Sequence, residues 1–213
     1  MVDLETMSTA SNAVILTIGC IPFGSDGSLI VEEDMFFYNR IDLSSYNNRP
    51  EFHSDFNTLL WWLQQEKEPL DEAFLAGPRK PIDRAMMDFD IWLAQICSYL
   101  NDKKITMWSH GKDFDCVVLD NAFKACHLEC PWKYFDTRDT RTIYSLAGVD
   151  MRNVQIPEGY KAHNAIGDCL KQIEGIKQSF QIINNVRNQG HKNHSSDNHG
   201  SSDNEIRKKR KSE

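Results

Sequence analysis

The sequence predicts an α/β fold, a mixed sheet with helices packed on it. Three observations carry this expectation. Short apolar segments crowd the start of the chain, at residues 2–6, 13–21 and 35–39. Longer segments with apolar residues at helical spacing follow them. Two further short apolar segments, residues 105–109 and 133–136, then alternate with helical ones, the rhythm of strand–helix–strand units.

Residues 2–21 read as two antiparallel strands joined by the polar turn Ser8-Thr9-Ala10-Ser11-Asn12. Pro22 ends the second strand, and Gly24 and Gly27 mark a further turn. Residues 35–39, Met-Phe-Phe-Tyr-Asn, read as a third strand. A helix is expected from near Asn57, through Leu59, Leu60, Trp62 and Leu63, to about Lys67, and residues 77–81 form a loop. Residues 83–100 predict a strong amphipathic helix, with Met86, Phe89, Ile91, Trp92, Leu93, Ile96, Tyr99 and Leu100 near helical spacing. Residues 105–109 read as a short buried strand. Asp113 then opens a helix with Phe114, Val117, Val118, Ala122 and Phe123 inward. Residues 133–136 are the last short strand, residues 140–146 are helical, and residues 166–184 form the closing helix.

The 213 residues, 40% hydrophobic and 26% charged, suit one globular domain with a sizeable core. From Asn188 the composition turns to His, Asn, Ser, Asp and Gly, then to Arg207-Lys208-Lys209-Arg210-Lys211. With almost nothing to bury, residues 188–213 are expected to be a disordered tail and residues 1–187 the domain. No apolar run approaches the roughly 20 residues that span a bilayer, and no basic region followed by an apolar stretch opens the chain. A soluble intracellular protein without a membrane partner is expected. The six cysteines, Cys20, Cys97, Cys116, Cys126, Cys130 and Cys169, lie scattered through apolar segments and read as buried free thiols. Cys126-His127-Leu128-Glu129-Cys130 has no second ligand pair to complete a zinc site.

Net charge is −7, with +2 in the tail and −9 in the body. An acidic body does not grip nucleic acid by charge alone. It is compatible with a nuclease whose bound divalent ions attract phosphate.

The chemistry-bearing residues fall into three groups. Asp3-Leu4-Glu5-Thr6 places Asp3 and Glu5 on one face of a strand and Leu4 on the other. Alone, this reads equally as a solvated strand edge. His110-Gly111-Lys112-Asp113-Phe114-Asp115 follows a strand and opens a helix, where α/β sheets place their sites. Asp113 suits an N-cap, and Asp115 suits a metal. Last, His163-Asn164-Ala165-Ile166-Gly167-Asp168 leaves an imidazole on a loop and an aspartate about one and a half turns into a helix.

Together these residues resemble the DEDD family of 3'-5' exonucleases, in the variant with a histidine base. Asp3 and Glu5 match its Asp-x-Glu-Thr, Asp115 its Phe-Asp, and His163 with Asp168 its His-x-x-x-x-Asp. Within the family the chain is most similar to the exonuclease A group of T4-type phages and its bacterial relatives. The supporting residues are Asp3-Leu4-Glu5-Thr6-Met7, Trp61-Trp62 with Gln65, Gly111 to Asp115, and Arg138-Asp139-Thr140-Arg141-Thr142. The resemblance covers residues 2–176 and not the tail.

The resemblance implies a ribonuclease H-like fold and two Mg2+ or Mn2+ ions held by Asp3, Glu5, Asp115 and Asp168, with Asp3 bridging them. It implies that His163 deprotonates the attacking water, with activity rising with pH. Single-stranded 3' ends, DNA before RNA, would be cut to nucleoside 5'-monophosphates. The location would be cytoplasmic, in the host if the protein is phage-encoded. An oligoribonuclease-like activity on RNA is the close alternative, and a nucleic-acid-binding module without catalysis the more distant one. Trp62, Arg138 and Arg141 are candidate substrate contacts. A tryptophan pair is also an ordinary core feature, and the arginines also suit ion pairs with Asp139. The basic tail suits nucleic acid, a nuclear localisation signal or simple solubility. One departure stands out. Only Met1 and Val2 precede Asp3, so either the first strand is short, which would loosen Asp3, or this chain starts downstream of the natural start.

Overall fold

The computed structural model describes residues 1–102 and 104–197, with side chains as far as residue 188. Strands β1 (Val2–Thr6), β2 (Ile15–Cys20) and β3 (Phe37–Arg40) form an antiparallel sheet with β2 in the middle. β4 (Met107–Ser109) and β5 (Thr137–Asp139) pair in parallel, and β4 lies beside β1. The strands therefore mix directions, with helices on both sides, as the sequence predicts.

Alternation along β1 sorts its side chains. Val2 and Leu4 enter a core with Met86, Phe89 and Phe123, supplied by α3 (Ile82–Tyr99) and α4 (Asp115–Ala125). Met1 joins a second core with Ile166, Cys169 and Ile173, from α6 (Ala165–Asp197). β2 is buried along its whole length because both faces are covered. The first strand is not loose. The Met1 nitrogen donates to the Ile21 oxygen at 2.7 Å, and Ile21 N–H donates to the Met1 oxygen at 2.8 Å. β1 is thus anchored by pairing from the first residue.

Several boundaries differ from expectation. The helix expected from Asn57 to Lys67 is two helices, α1 (Phe56–Trp62) and α2 (Lys67–Phe74). Pro69 has no N–H to give, so it sits in a first helical turn, which makes a new helix start beside it. Residues 134–136, expected as strand, form a 3-10 turn closed by Asp136 N–H on the Lys133 oxygen, and the strand begins at Thr137. In α3 the buried stripe is Ile82, Ala85, Met86, Phe89, Leu93 and Ile96. Ile91 and Tyr99 lie off that stripe and are exposed. Val117 is likewise exposed on α4. α5 (Thr140–Ala147) follows β5 directly. α6 continues past Asn184, and past the composition change at Asn188, to Asp197. Residues 198–213, the rest of the expected tail, lie outside the described residues. No helix among those described is long and apolar enough to cross a membrane.

Candidate metal centre

Three elements bring their acids together. On β1, Asp3 and Glu5 project towards α6, opposite the Leu4 core. α6 comes close enough because β2 carries glycine there. A Cβ on Gly19 would fall 2.7 Å from the Ala165 carbonyl carbon. Gly19 is the register partner of Asp3, so the contact that seats the helix lies beside the acid it serves.

The second element is the turn between β4 and α4. Gly111 has φ +113 and is packed against Arg141, whose Nη1 lies 2.8 Å from where a Cβ would stand. The backbone conformation favours glycine here, and a side chain would also displace the Arg141 guanidinium. The turn delivers Asp115 into the first turn of α4, where it is 5% exposed. Asp113, expected as the cap, is instead exposed and paired with Lys112 Nζ at 2.9 Å. Phe114 takes the cap position.

The third element is the loop into α6. Asn164 caps the helix, its Oδ1 accepting from Gly167 N–H at 3.0 Å. His163 adopts φ +61, and its backbone N–H donates to Asp168 Oδ2 at 2.9 Å. One turn beyond Asp168, Gln172 Nε2 donates to Asp3 Oδ1 at 2.7 Å. Gln172 was not singled out from the sequence. The only signal was its place at i+4 from Asp168 on the buried side of the helix.

The four carboxylates share one electrostatic problem. Burial, then Asp115, Glu5 and Asp168, hold the Asp3 carboxyl well above the usual carboxylate range. Burial and the charges of Asp168 and Asp115 push Glu5 up to about 8. Burial pushes Asp115 up to about 7, against the pull of the Leu4 amide, the Ser109 hydroxyl and Arg141. Asp168 is raised by burial and pulled back by His163. Burial of like charge disfavours the ionised forms of these groups, and a divalent cation held among them would favour those forms. Ligand atoms of Glu5, His163 and Asp168 lie within 4.8 Å of one another, a single candidate cluster among the described residues. Hard carboxylate oxygens with one imidazole suit Mg2+ or Mn2+. The six cysteines are free, and Cys126 and Cys130 belong to no such cluster among the described residues.

Trp62 is a correction. It is 1% exposed, and its Nε1 donates to the Thr6 oxygen at 2.9 Å, so its ring is core and faces no solvent. Trp61 is the exposed member, at 41%, and its ring meets the His163 imidazole edge to face at 5.0 Å. Arg141 lies over the Gly111 turn and bears on Asp115. Arg138 is exposed and spends its Nη1 on the Phe135 and Thr137 carbonyls of its own turn.

Against known families, residues 1–180 match the family described as the 3'-5' exoribonuclease Rv2179c-like domain. The chain belongs to that family. The Rv2179c-like match covers every element that contributes an acid to the centre. An exodeoxyribonuclease of Enterobacteria phage T4 is 25% identical over 208 aligned positions, covering 85% of this chain and 88% of the relative. The solved structure of an exonuclease I superposes with a TM-score of 0.54 at 17% identity. It covers 83% of this chain, which spans only 39% of that one, and it speaks to the fold alone.

Proposed function

We propose that residues 1–187 form a metal-dependent 3'-5' exonuclease that removes nucleoside 5'-monophosphates from single-stranded 3' ends. The observation that carries this reading is the convergence of Asp3, Glu5, Asp115 and Asp168, all four carboxyls raised by burial and those of Asp3 and Glu5 also by the neighbouring acids, in a member of an exonuclease family. These four acids would hold two divalent ions, Mg2+ or Mn2+. Bound there, the ions would polarise the phosphodiester and lower the pKa of a water. His163, beside Glu5 and Asp168, takes the proton of the attacking water. Gln172 fixes the rotamer of Asp3 through its 2.7 Å bond, and the Leu4 amide and Ser109 hydroxyl steady Asp115. Arg141, over the Gly111 turn, offers its guanidinium to a phosphate.

Two substrate readings have support. The phage relative is an exodeoxyribonuclease, which favours DNA. The family is described as exoribonucleases, which favours RNA. We take DNA as the first substrate and RNA as the alternative, since discrimination rests on contacts to the 2'-hydroxyl.

The test is degradation of matched 5'-labelled DNA and RNA oligomers with Mg2+, Mn2+ or chelator. Stepwise shortening from the 3' end should require metal. Asp3→Ala and Asp168→Ala should each abolish it, and full activity in either variant would sink the assignment. His163→Gln should slow turnover while calorimetric Mn2+ binding persists. Loss of that binding would make His163 a ligand, a role its place in the cluster also permits.

A further inference from the structure

His163 stands in a backbone conformation that a side-chain-bearing residue adopts at a cost, φ +61. Such a residue stays put only where its surroundings determine its position several times over. On the backbone side, Asp168 Oδ2 takes the His163 N–H at 2.9 Å, and Asn164 closes the helix start behind it. On the side-chain side there are two indoles. Trp61 meets the imidazole perpendicularly at 5.0 Å, and Trp62 meets it at 6.1 Å and 75°. The two indoles also meet each other edge to face at 5.1 Å.

The three rings are tied to the strand that carries the acids. Trp62 Nε1 donates to the oxygen of Thr6, the last residue of β1. The Trp61 carbonyl, at the same C-terminal end of α1, accepts from Gln65 Nε2 at 3.0 Å and Gln64 N–H at 3.1 Å. Trp62 is buried core and would serve as a wall in any protein. Trp61 is different. It is 41% exposed, so little of the fold depends on it, yet its ring packs perpendicular to the His163 imidazole.

We propose that Trp61 is a positioning residue, the side wall that fixes the His163 imidazole in the one orientation reaching the Glu5–Asp168 cluster. The inference rests on the exonuclease reading for its kinetic consequence, but its structural part stands apart from that reading. Perpendicular aromatic contacts prefer one ring orientation over others, and a reacting group displaced by about 1 Å can lose on the order of a hundredfold in rate.

The experiment compares Trp61→Ala and Trp61→Phe with the wild type in two measurements. The first is NMR of the histidine ring protons in the metal-free full-length protein, with the His163 signals assigned through His163→Gln. In the wild type they should be displaced by the ring currents of the indoles. Trp61→Ala should remove most of that displacement, and Trp61→Phe should keep a large part. The second is steady-state hydrolysis of an oligonucleotide with Mn2+. Trp61→Ala should lower kcat by about tenfold or more with KM altered less than threefold, and Trp61→Phe should recover most of the loss. Thermal melts serve as the folding control. A rise in KM with kcat preserved would make Trp61 a substrate contact and overturn the proposal, as would His163 signals that Trp61→Ala leaves in place. Should the wild type hydrolyse neither DNA nor RNA, the exonuclease reading fails. The NMR measurement then still decides whether Trp61 sets the ring.

Discussion

At the residue scale, the protein stores like charge where it is least welcome. Glu5 is 8% exposed and Asp115 5%, and each stands beside other acids. Their folded-state affinity for protons exceeds that of the unfolded chain. Between the ordinary carboxylate range and about pH 8, where Glu5 titrates, the metal-free folded state binds more protons than the unfolded one. Its stability must therefore fall as pH rises through that window. The midpoint of thermal unfolding in chelator should be lower at pH 8.5 than at pH 6, and Mn2+ should raise it most at the higher pH. Glu5→Gln removes one charge and should raise the metal-free midpoint at pH 8.5 by at least about 2–4 °C, the shift that 1 kcal/mol produces in a domain of this size. The same variant should lose activity. A midpoint that stays flat with pH, or a Glu5→Gln protein less stable than wild type in chelator, would contradict the repulsion.

At the scale of elements, the centre depends on how closely α6 approaches the sheet. That approach is set at Gly19, where a Cβ would lie 2.7 to 2.8 Å from Ala165 atoms. The nearest atoms are the Ala165 carbonyl and its Cβ, which is fixed to the backbone, so they do not swing aside. Gly19→Ala should cost about 1–3 kcal/mol, the usual range for overpacking, read as a lower urea midpoint. It should also cut activity beyond the loss of folded protein, because displacing the start of α6 moves His163 and Asp168 away from Asp3 and Glu5. A variant with wild-type activity per folded molecule would show that the spacing of helix and strand is not critical. The parallel pair β4–β5 has the corresponding role for Asp115. Ser109 and Asp139 are register partners at its end, and Asp139 accepts from Lys112 and Arg141 backbone N–H groups, binding the Gly111 turn to the start of α5.

At the scale of the whole molecule, net charge is −7, so the surface repels a polyanion at long range. On the proposed function, the domain would grip nucleic acid through cations held by the acids and through local groups such as Arg141. A short single-stranded oligomer should bind about tenfold or more tightly in Ca2+ than in chelator, since Ca2+ also takes carboxylate oxygens. Fluorescence anisotropy of a labelled oligomer measures this directly. Equal affinity in chelator would place the binding surface away from the acids.

Asp3, Glu5, Asp115, His163 and Asp168 were legible as candidates because each stands in a local context that its own sequence dictates. Asp-x-Glu lies on a strand by alternation, Asp115 follows a strand end, and Asp168 sits on a helix face. The antiparallel first pair of strands, the third strand and the helices packed on the sheet were legible for the same reason. Local periodicity did not resolve the split of α1 from α2, the shift of β5 to Thr137 or the exposure of Ile91. Those depend on which neighbour covers which face. It also could not decide between Trp61 and Trp62. Adjacent helical residues diverge, and only the packed structure shows that Trp62 turns inward to the Thr6 oxygen while Trp61 turns to His163. Gln172 was silent in the sequence because its partner, Asp3, is 169 positions away. The sequence by itself determined which chemical groups are present and in what local frame. The tertiary structure alone decided how near they come to one another, because proximity between distant segments is a property of packing, and burial with mutual repulsion exists only once that packing is complete.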